Sequence, residues 1–202
     1  MRSMDLIRWS GLAAILGVAI LIISDLLSLT VFSSDPMEFV TTGTYLADGT
    51  ARVLAGILLL IGLIGLYAHQ AEASGVQGLV AFLAAFTGTA LIFGTWWTNA
   101  YVAPVLAQEN SRLLETGPTG VLSVAFTLSF ALGAVGWLLF GLVSLRTRVY
   151  PRAAVIVLIV GAVLTFVPLP GAGVVFYVAI AWLSFALFSQ QEAFAGRPER
   201  VT

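Results

Sequence analysis

The sequence has no cysteine, no lysine and a single histidine, and only 9% of its 202 residues are charged. Each shortage removes a class of chemistry. Without cysteine there are no disulfides, thiolate metal sites, iron–sulfur clusters or cysteine nucleophiles. Without lysine no Schiff base to retinal or pyridoxal phosphate can form. The one histidine, His69, cannot make a bis-histidine haem site, and Met1, Met4 and Met37 lie far from it on the expected topology. His69 and Glu72 stand three residues apart, a spacing found in metal-binding helices, but without a second acidic pair they read as a solvated helix end. No metal and no cofactor is expected. The net charge is -1, with no basic stretch beyond one arginine turn, so nothing is available to neutralise a phosphate backbone and nucleic acid is not an expected partner.

What is present is apolar: 59% of the residues are hydrophobic, whereas an ordinary soluble domain is roughly 25% charged. A soluble protein of this size has too little interior to hide that surface, so the expected solvent is lipid. Apolar runs cover about 9–32, 49–68, 79–102, 120–145, 153–167 and 174–189. Each can cross a hydrocarbon layer about 30 Å thick, the last two only just. The fold class is all-α: a polytopic bundle of six transmembrane helices forming a single transmembrane domain over 1–202. The alternative for the last two helices is a re-entrant hairpin.

The first run is longer than a signal-peptide core and no Ala-x-Ala site follows it, so it reads as a retained helix. Residues 33–48 form an expected external loop, in which Asp35-Pro36-Met37-Glu38 carries the cap pattern of a short surface helix. Residues 69–78 read as a turn. Residues 104–116 read as an amphipathic helix on the outer interface, started by Pro104 and stopped by Gly117-Pro118.

Orientation follows from Arg146, Arg148 and Arg152 in the turn between helices four and five. Short arginine-rich loops are retained in the cytoplasm. With both termini cytoplasmic, seven arginines (2, 8, 146, 148, 152, 197, 200) fall inside and two, Arg52 and Arg112, fall outside. The abundance of Ala, Gly, Leu and Val, with arginine in place of lysine at all nine basic positions, points to a GC-rich bacterial genome, and hence to a multi-pass protein of the bacterial inner (plasma) membrane.

The segment Leu139-Phe-Gly-Leu-Val-Ser-Leu-Arg-Thr-Arg-Val-Tyr-Pro-Arg-Ala-Ala-Val-Ile-Val-Leu158 resembles an uncharacterised family of bacterial six-helix membrane proteins, a domain of unknown function. That family carries an Arg-x-Arg-x-x-Pro-Arg turn between helices four and five. Gly65-Leu-Tyr-Ala-His-Gln70 is similar to the end of its second helix. The resemblance implies six helices in a bacterial plasma membrane, and it carries no activity and no functional residues.

Asp25 is the polar residue of most interest within the spans. A carboxylate at the bilayer centre costs roughly 2.5–3.5 kcal/mol, less nearer the surface, so it should face protein or water. Arg52, near the outer end of helix two, is the expected partner. The alternatives are a proton or ion site and a water-solvated position. Trp96-Trp97-Thr98-Asn99 closes helix three on the same side, where aromatic residues read first as interfacial anchors; because adjacent tryptophans point about 100° apart on a helix, the alternative is that one of them lines an inner cavity. The candidate ligand-binding residues are Asp25, Arg52, Trp96, Trp97, Asn99, Thr127 and Tyr177. With Ser28, Thr95, Ser123 and Thr165 they collect in the outer half of the spans, whereas stretches such as 11–21 and 80–86 are apolar. The expectation is a cavity open to the outside; the alternative is that these groups bond to one another and leave no void. Small residues four apart (Ala13/Gly17, Ala84/Gly88, Ala90/Gly94, Ser129/Gly133) favour close helix packing.

No catalytic constellation is present, because an intramembrane serine protease needs a base and the only histidine lies at the opposite face. The function read from these residues is a non-enzymatic accessory subunit or small-ligand-binding bundle. The rival readings are a small secondary transporter working through Asp25 and a membrane enzyme acting on a lipid or quinone. The partners are the lipid bilayer and either a second copy of the chain or a larger membrane complex. Since the chain is free of cysteine, single cysteines report topology cleanly. One at Thr147 should label only from the cytoplasm and one at Asn110 only from outside; labelling of Asn110 from the cytoplasm would invert the arrangement.

Overall fold

A computed structural model of the chain describes residues 3–31, 39–109, 117, 119–166 and 172–195. Its regular structure is helical: α1 (Ser3–Val31), α2 (Gly43–Tyr101), α3 (Ala103–Glu109), α4 (Gly120–Thr147), α5 (Arg152–Leu164) and α6 (Ala172–Ala195). No strand occurs among the described residues. Ile7–Ser28, Gly43–Glu109 and Gly120–Thr147 are long and apolar enough to cross a membrane, and Arg152–Leu164 and Gly173–Ser189 are apolar but shorter.

A straight helix of the 59 residues of α2 would extend about 88 Å. It folds back instead. Gly75 has φ 52° and ψ -145°, a conformation open to glycine and strained for any residue with a Cβ. Residues placed symmetrically about it meet side by side. Tyr67 stacks on Phe82 with ring centroids 4.4 Å apart. A Cβ on Gly56 would lie 2.6 Å from the Phe93 ring, and one on Gly49 would lie 2.7 Å from the Ala100 methyl. The Tyr45 hydroxyl donates to the Asn99 carbonyl at 3.1 Å. The element is therefore a helical hairpin with a first arm before Gly75 and a second after it.

The remaining helices also pack antiparallel to their neighbours in sequence. Gly62 of the first arm lies against Ala14 of α1, and Gly17 of α1 lies against Ala55 and Leu58. Gly88 and Ala85 of the second arm meet Gly133 and Gly136 of α4, where a Cβ would run into backbone. Gly141 abuts Leu158 and Ile159 of α5, Gly161 abuts Phe176 of α6, and Gly11 returns α1 to Ser184 and Leu187 of α6. One end of the bundle thus carries Asp25 and the other the arginine turn. Between them Leu21, Leu63, Leu66, Phe140, Leu158, Ile180 and Leu183 are fully buried.

Several sequence expectations are corrected. The segment 69–78 is not a loop: Gly75 alone departs from helical geometry, because His69, Gln70 and Glu72 extend the first arm beyond the apolar run. The first arm also begins before residue 49, since the Thr42 hydroxyl accepts the Tyr45 amide at 3.2 Å and caps the helix there. Only the first part of the 104–116 helix is seen, as α3, and the capping sequence 35–38 and residues 110–116 lie outside the described residues. Outside the apolar stretches 11–21 and 80–86, the end near the arginine turn also buries Ser10, Gln70, Ser144 and Ser184. The Ser144 hydroxyl donates to the Gln70 side-chain carbonyl at 2.7 Å. Ala90/Gly94 is not a packing pair, because nothing lies within 4 Å of a Cβ on Gly94.

Past α4, Arg148 takes a left-handed conformation (φ 56°) as the helix cap, with its amide bonded to the Ser144 carbonyl at 3.2 Å. Tyr150 turns inward, and its phenol donates to the Leu66 carbonyl at 2.6 Å. Burial raises the pKa of this phenol far above its ordinary value near 10. A raised acid favours its neutral form in the fold, so this stabilisation is complete below about pH 10 and declines as the pH rises further.

The glycine contacts make a matched pair of substitutions informative. Gly88→Leu forces a side chain into the Gly133 backbone and should lower unfolding stability in detergent by about 1–3 kcal/mol, whereas Gly94→Leu should change it by less than about 0.5 kcal/mol. Equal effects in denaturant or thermal unfolding would contradict the helix pairing.

Candidate functional site

Two features occupy the Asp25 end. The first is built on Arg52, one turn along the first arm from Asp48. Its Nε donates to Asp48 Oδ2 at 2.9 Å, its Nη1 to Asp25 Oδ1 at 2.7 Å, and its Nη2 to the Ser28 hydroxyl at 3.0 Å. Ser28 passes its own proton to the Ser24 carbonyl at 2.8 Å. The guanidinium thus engages three acceptors in a planar fork, two of them on α1, and so ties α1 to the first arm in a geometry that lysine cannot reproduce. The Asp25 and Arg52 side chains are 31% and 19% exposed, so the pair is screened less than a surface pair but is not sealed. Two carboxylates face one guanidinium, and Asp48 Oδ1 is buried without a hydrogen-bond partner among the described residues.

The second feature is a cavity of about 270 Å³ between the second arm, α4, α5 and α6. Trp96, Phe130, Trp137, Phe176 and Tyr177 give it an aromatic wall, and Thr89 and Thr165 add hydroxyls. The Trp137 ring meets Phe176 edge-on with centroids 5.2 Å apart. Much of the wall's polarity is already used. Trp137 Nε1 donates to the Thr89 hydroxyl at 3.0 Å, Thr89 donates to the Ala85 carbonyl at 2.7 Å, and Thr165 donates to the Ala162 carbonyl at 2.7 Å. Two donors remain: among the described residues the Trp96 indole N–H and the Tyr177 hydroxyl make no hydrogen bond. Phe130 and Thr165 are exposed, so the cavity opens on their side.

The seven residues singled out from sequence therefore divide. Asp25 and Arg52 are paired with each other, and Trp96 and Tyr177 line the cavity. Trp97, Asn99 and Thr127 do not join them. Trp97 is 49% exposed and leans on Tyr101, the Asn99 side chain is exposed, and Thr127 is exposed with its hydroxyl bonded to the Ser123 carbonyl at 2.9 Å. The helical turn of about 100° between neighbours sends Trp96 inward and Trp97 outward. Sequence reasoning missed Asp48, whose signal was its position four residues before Arg52. It also missed Thr89, Phe130, Trp137 and Phe176, which look like any other residues of an apolar helix. His69 and Glu72 belong to no metal-binding group among the described residues.

No family model, curated protein or solved structure matches the chain. The resemblance at the arginine turn therefore rests on that motif alone.

The Arg52 network is open to a double-mutant cycle. Arg52→Ala should destabilise the protein more than Arg52→Ala combined with Asp25→Asn, because the single change strands a partly buried carboxylate. A coupling energy of about 1–3 kcal/mol is expected, and additive effects would show that the two residues do not support each other.

Proposed function

We propose that the chain is a six-span protein of the bacterial plasma membrane that binds a small, mostly apolar ligand and catalyses no reaction. In this reading each arm of α2 is one span, α5 and α6 complete the count, and both termini and the arginine turn face the cytoplasm. The antiparallel contacts and the bias of arginines to one end support that arrangement. The observation that carries the ligand reading is the aromatic cavity with two unused donors. A wall of this kind suits a molecule with a flat apolar body and one or two acceptor oxygens, such as a carbonyl, ether or quinone. Among the described residues no histidine and no carboxylate lines the cavity to activate its hydroxyls, which favours a ligand that is held over one that is converted. Exposed apolar residues on the first third of α4, Val121, Val124 and Leu128, are surface for lipid, a second copy, or a larger membrane complex.

A second reading is a small secondary transporter. It is favoured by the net negative Asp25–Arg52–Asp48 cluster and by the unpartnered Asp48 Oδ1, since a lone excess carboxylate in an apolar medium attracts a proton or cation.

Menadione, a flat bicycle with two carbonyl acceptors, separates the readings. It should quench tryptophan fluorescence of the detergent-solubilised protein saturably. Trp96→Phe and Thr165→Trp, which remove a donor and fill the mouth, should weaken this at least about tenfold, while Trp97→Phe leaves it intact. Quenching that is unsaturable or indifferent to Trp96 and Thr165 would refute the cavity as the site.

A further inference from the structure

A second hollow lies at the opposite end of the bundle, against the arginine turn. It is a groove of about 340 Å³ between the start of the second arm and the end of α4. Val80, Leu139, Leu142 and Val143 form its walls, and Gln77 and Arg146 close one end. No part of the described chain covers it: Val80 is 57% exposed and Leu142 48%. The groove has a physical origin in the glycine contacts. Where Gly88 meets Gly133 and Ala85 meets Gly136, the two helix backbones touch. Toward the arginine turn the helices part around the groove, and among the described residues Arg146 Nη1 reaches across to the Gln77 side-chain carbonyl at 3.5 Å.

The charge around the mouth is one-sided. Arg146, Arg148 and Arg152 are all exposed at this end, and among the described residues none of the three is in an ion pair. Glu72, on the same end of the first arm, is exposed and pairs with none of them. The α4 C-terminal dipole accounts for one cation in its last turn, not for three. Arg148 adds a second observation. It occupies a left-handed cap, φ 56°, where glycine would sit with about 1 kcal/mol less backbone strain. Dimensions agree as well. From Arg146 down to Leu139 is about 10 Å along the helix, within the roughly 15 Å depth of one hydrocarbon leaflet.

We infer that this groove is a binding site for one anionic phospholipid, its phosphate held by Arg146 with Arg148 and Arg152 nearby and an acyl chain lying against Val80, Leu139 and Leu142. The inference rests on the membrane-spanning reading and is independent of the cavity at the Asp25 end. Basic pockets between spanning helices at the cytoplasmic surface suit anionic headgroups, because the ion pair forms where the dielectric is falling. A choline lipid offers the same chains and the same phosphate, but its quaternary ammonium cancels that charge, so it gains less at the arginines than a net anionic lipid.

Purified protein in detergent is titrated with dioleoyl-phosphatidylglycerol or dioleoyl-phosphatidylcholine, and bound lipid is counted by native mass spectrometry beside the thermal unfolding curve. Phosphatidylglycerol should bind and stabilise preferentially. Arg146→Gln should weaken it about fivefold, Arg146→Lys should retain most of the preference, and Val80→Trp, which fills the groove, should abolish it. Glycerol phosphate without chains should not compete. Equal binding of the two lipids, a preference that survives Arg146→Gln or Val80→Trp, or competition by glycerol phosphate would each overturn the site. A chain that stays monodisperse without detergent would overturn the membrane reading, and the lipid site with it; a chain that needs detergent yet shows no preference overturns the lipid site alone.

Discussion

A polar group carried on an apolar helix needs a partner, and Arg52 supplies one to Asp25 and to Asp48. Its guanidinium collects Asp48 from its own helix and Asp25 and Ser28 from α1, so two helices are registered by one side chain. Smaller versions recur elsewhere. Ser144 bonds Gln70, Trp137 bonds Thr89, and Tyr150 reaches the Leu66 carbonyl. Each joins one helical segment to another with a contact that has direction, which apolar packing between lipid-like surfaces lacks. The glycines then set how near the backbones come.

The two ends of the bundle use these devices differently. At the arginine end Gln70, Ser144 and Ser184 are fully buried and the core is closed around them. At the Asp25 end α4 leaves its neighbours: Val121 is 87% exposed and Leu128 62%. That splay opens the cavity beside Trp96 and Tyr177. A tightly packed base and a looser opposite end is an arrangement that admits a ligand without disturbing the fold that holds it.

Much of the fold was legible in the sequence because apolar runs of about 20 residues are of helix length, and a helix satisfies its own backbone hydrogen bonds. The Asp25–Arg52 pair was legible too, since a carboxylate within a span needs a cation within reach. What sequence could not supply was direction around each helix. Trp96 and Trp97 are neighbours of one kind, yet one faces the cavity and the other faces out. Asn99 and Thr127 sit at the right depth and on the wrong side. Gly75 was hidden for another reason: His69, Gln70, Glu72 and Ser74 resemble a loop by polarity, while the residues around the glycine keep helical geometry up to it. Asp48 was assigned to a loop because it precedes the apolar run, although the helix that carries it begins earlier, at a Thr42 cap.

The interior of the bundle is open at the Asp25 end and closed around Gln70, Ser144 and Ser184 at the arginine end, where the groove beside Val80 and Leu142 lies on the outer face. Site-directed nitroxides test this contrast most directly, with power saturation read against a water-soluble nickel chelate and against oxygen in reconstituted bilayers. A label at Thr165, on the cavity lining, should relax strongly with the nickel chelate, and a label at Ser144, at the foot of the same bundle, with neither reagent. A Thr165 label that sees oxygen alone, or a Ser144 label that sees nickel, would contradict the account.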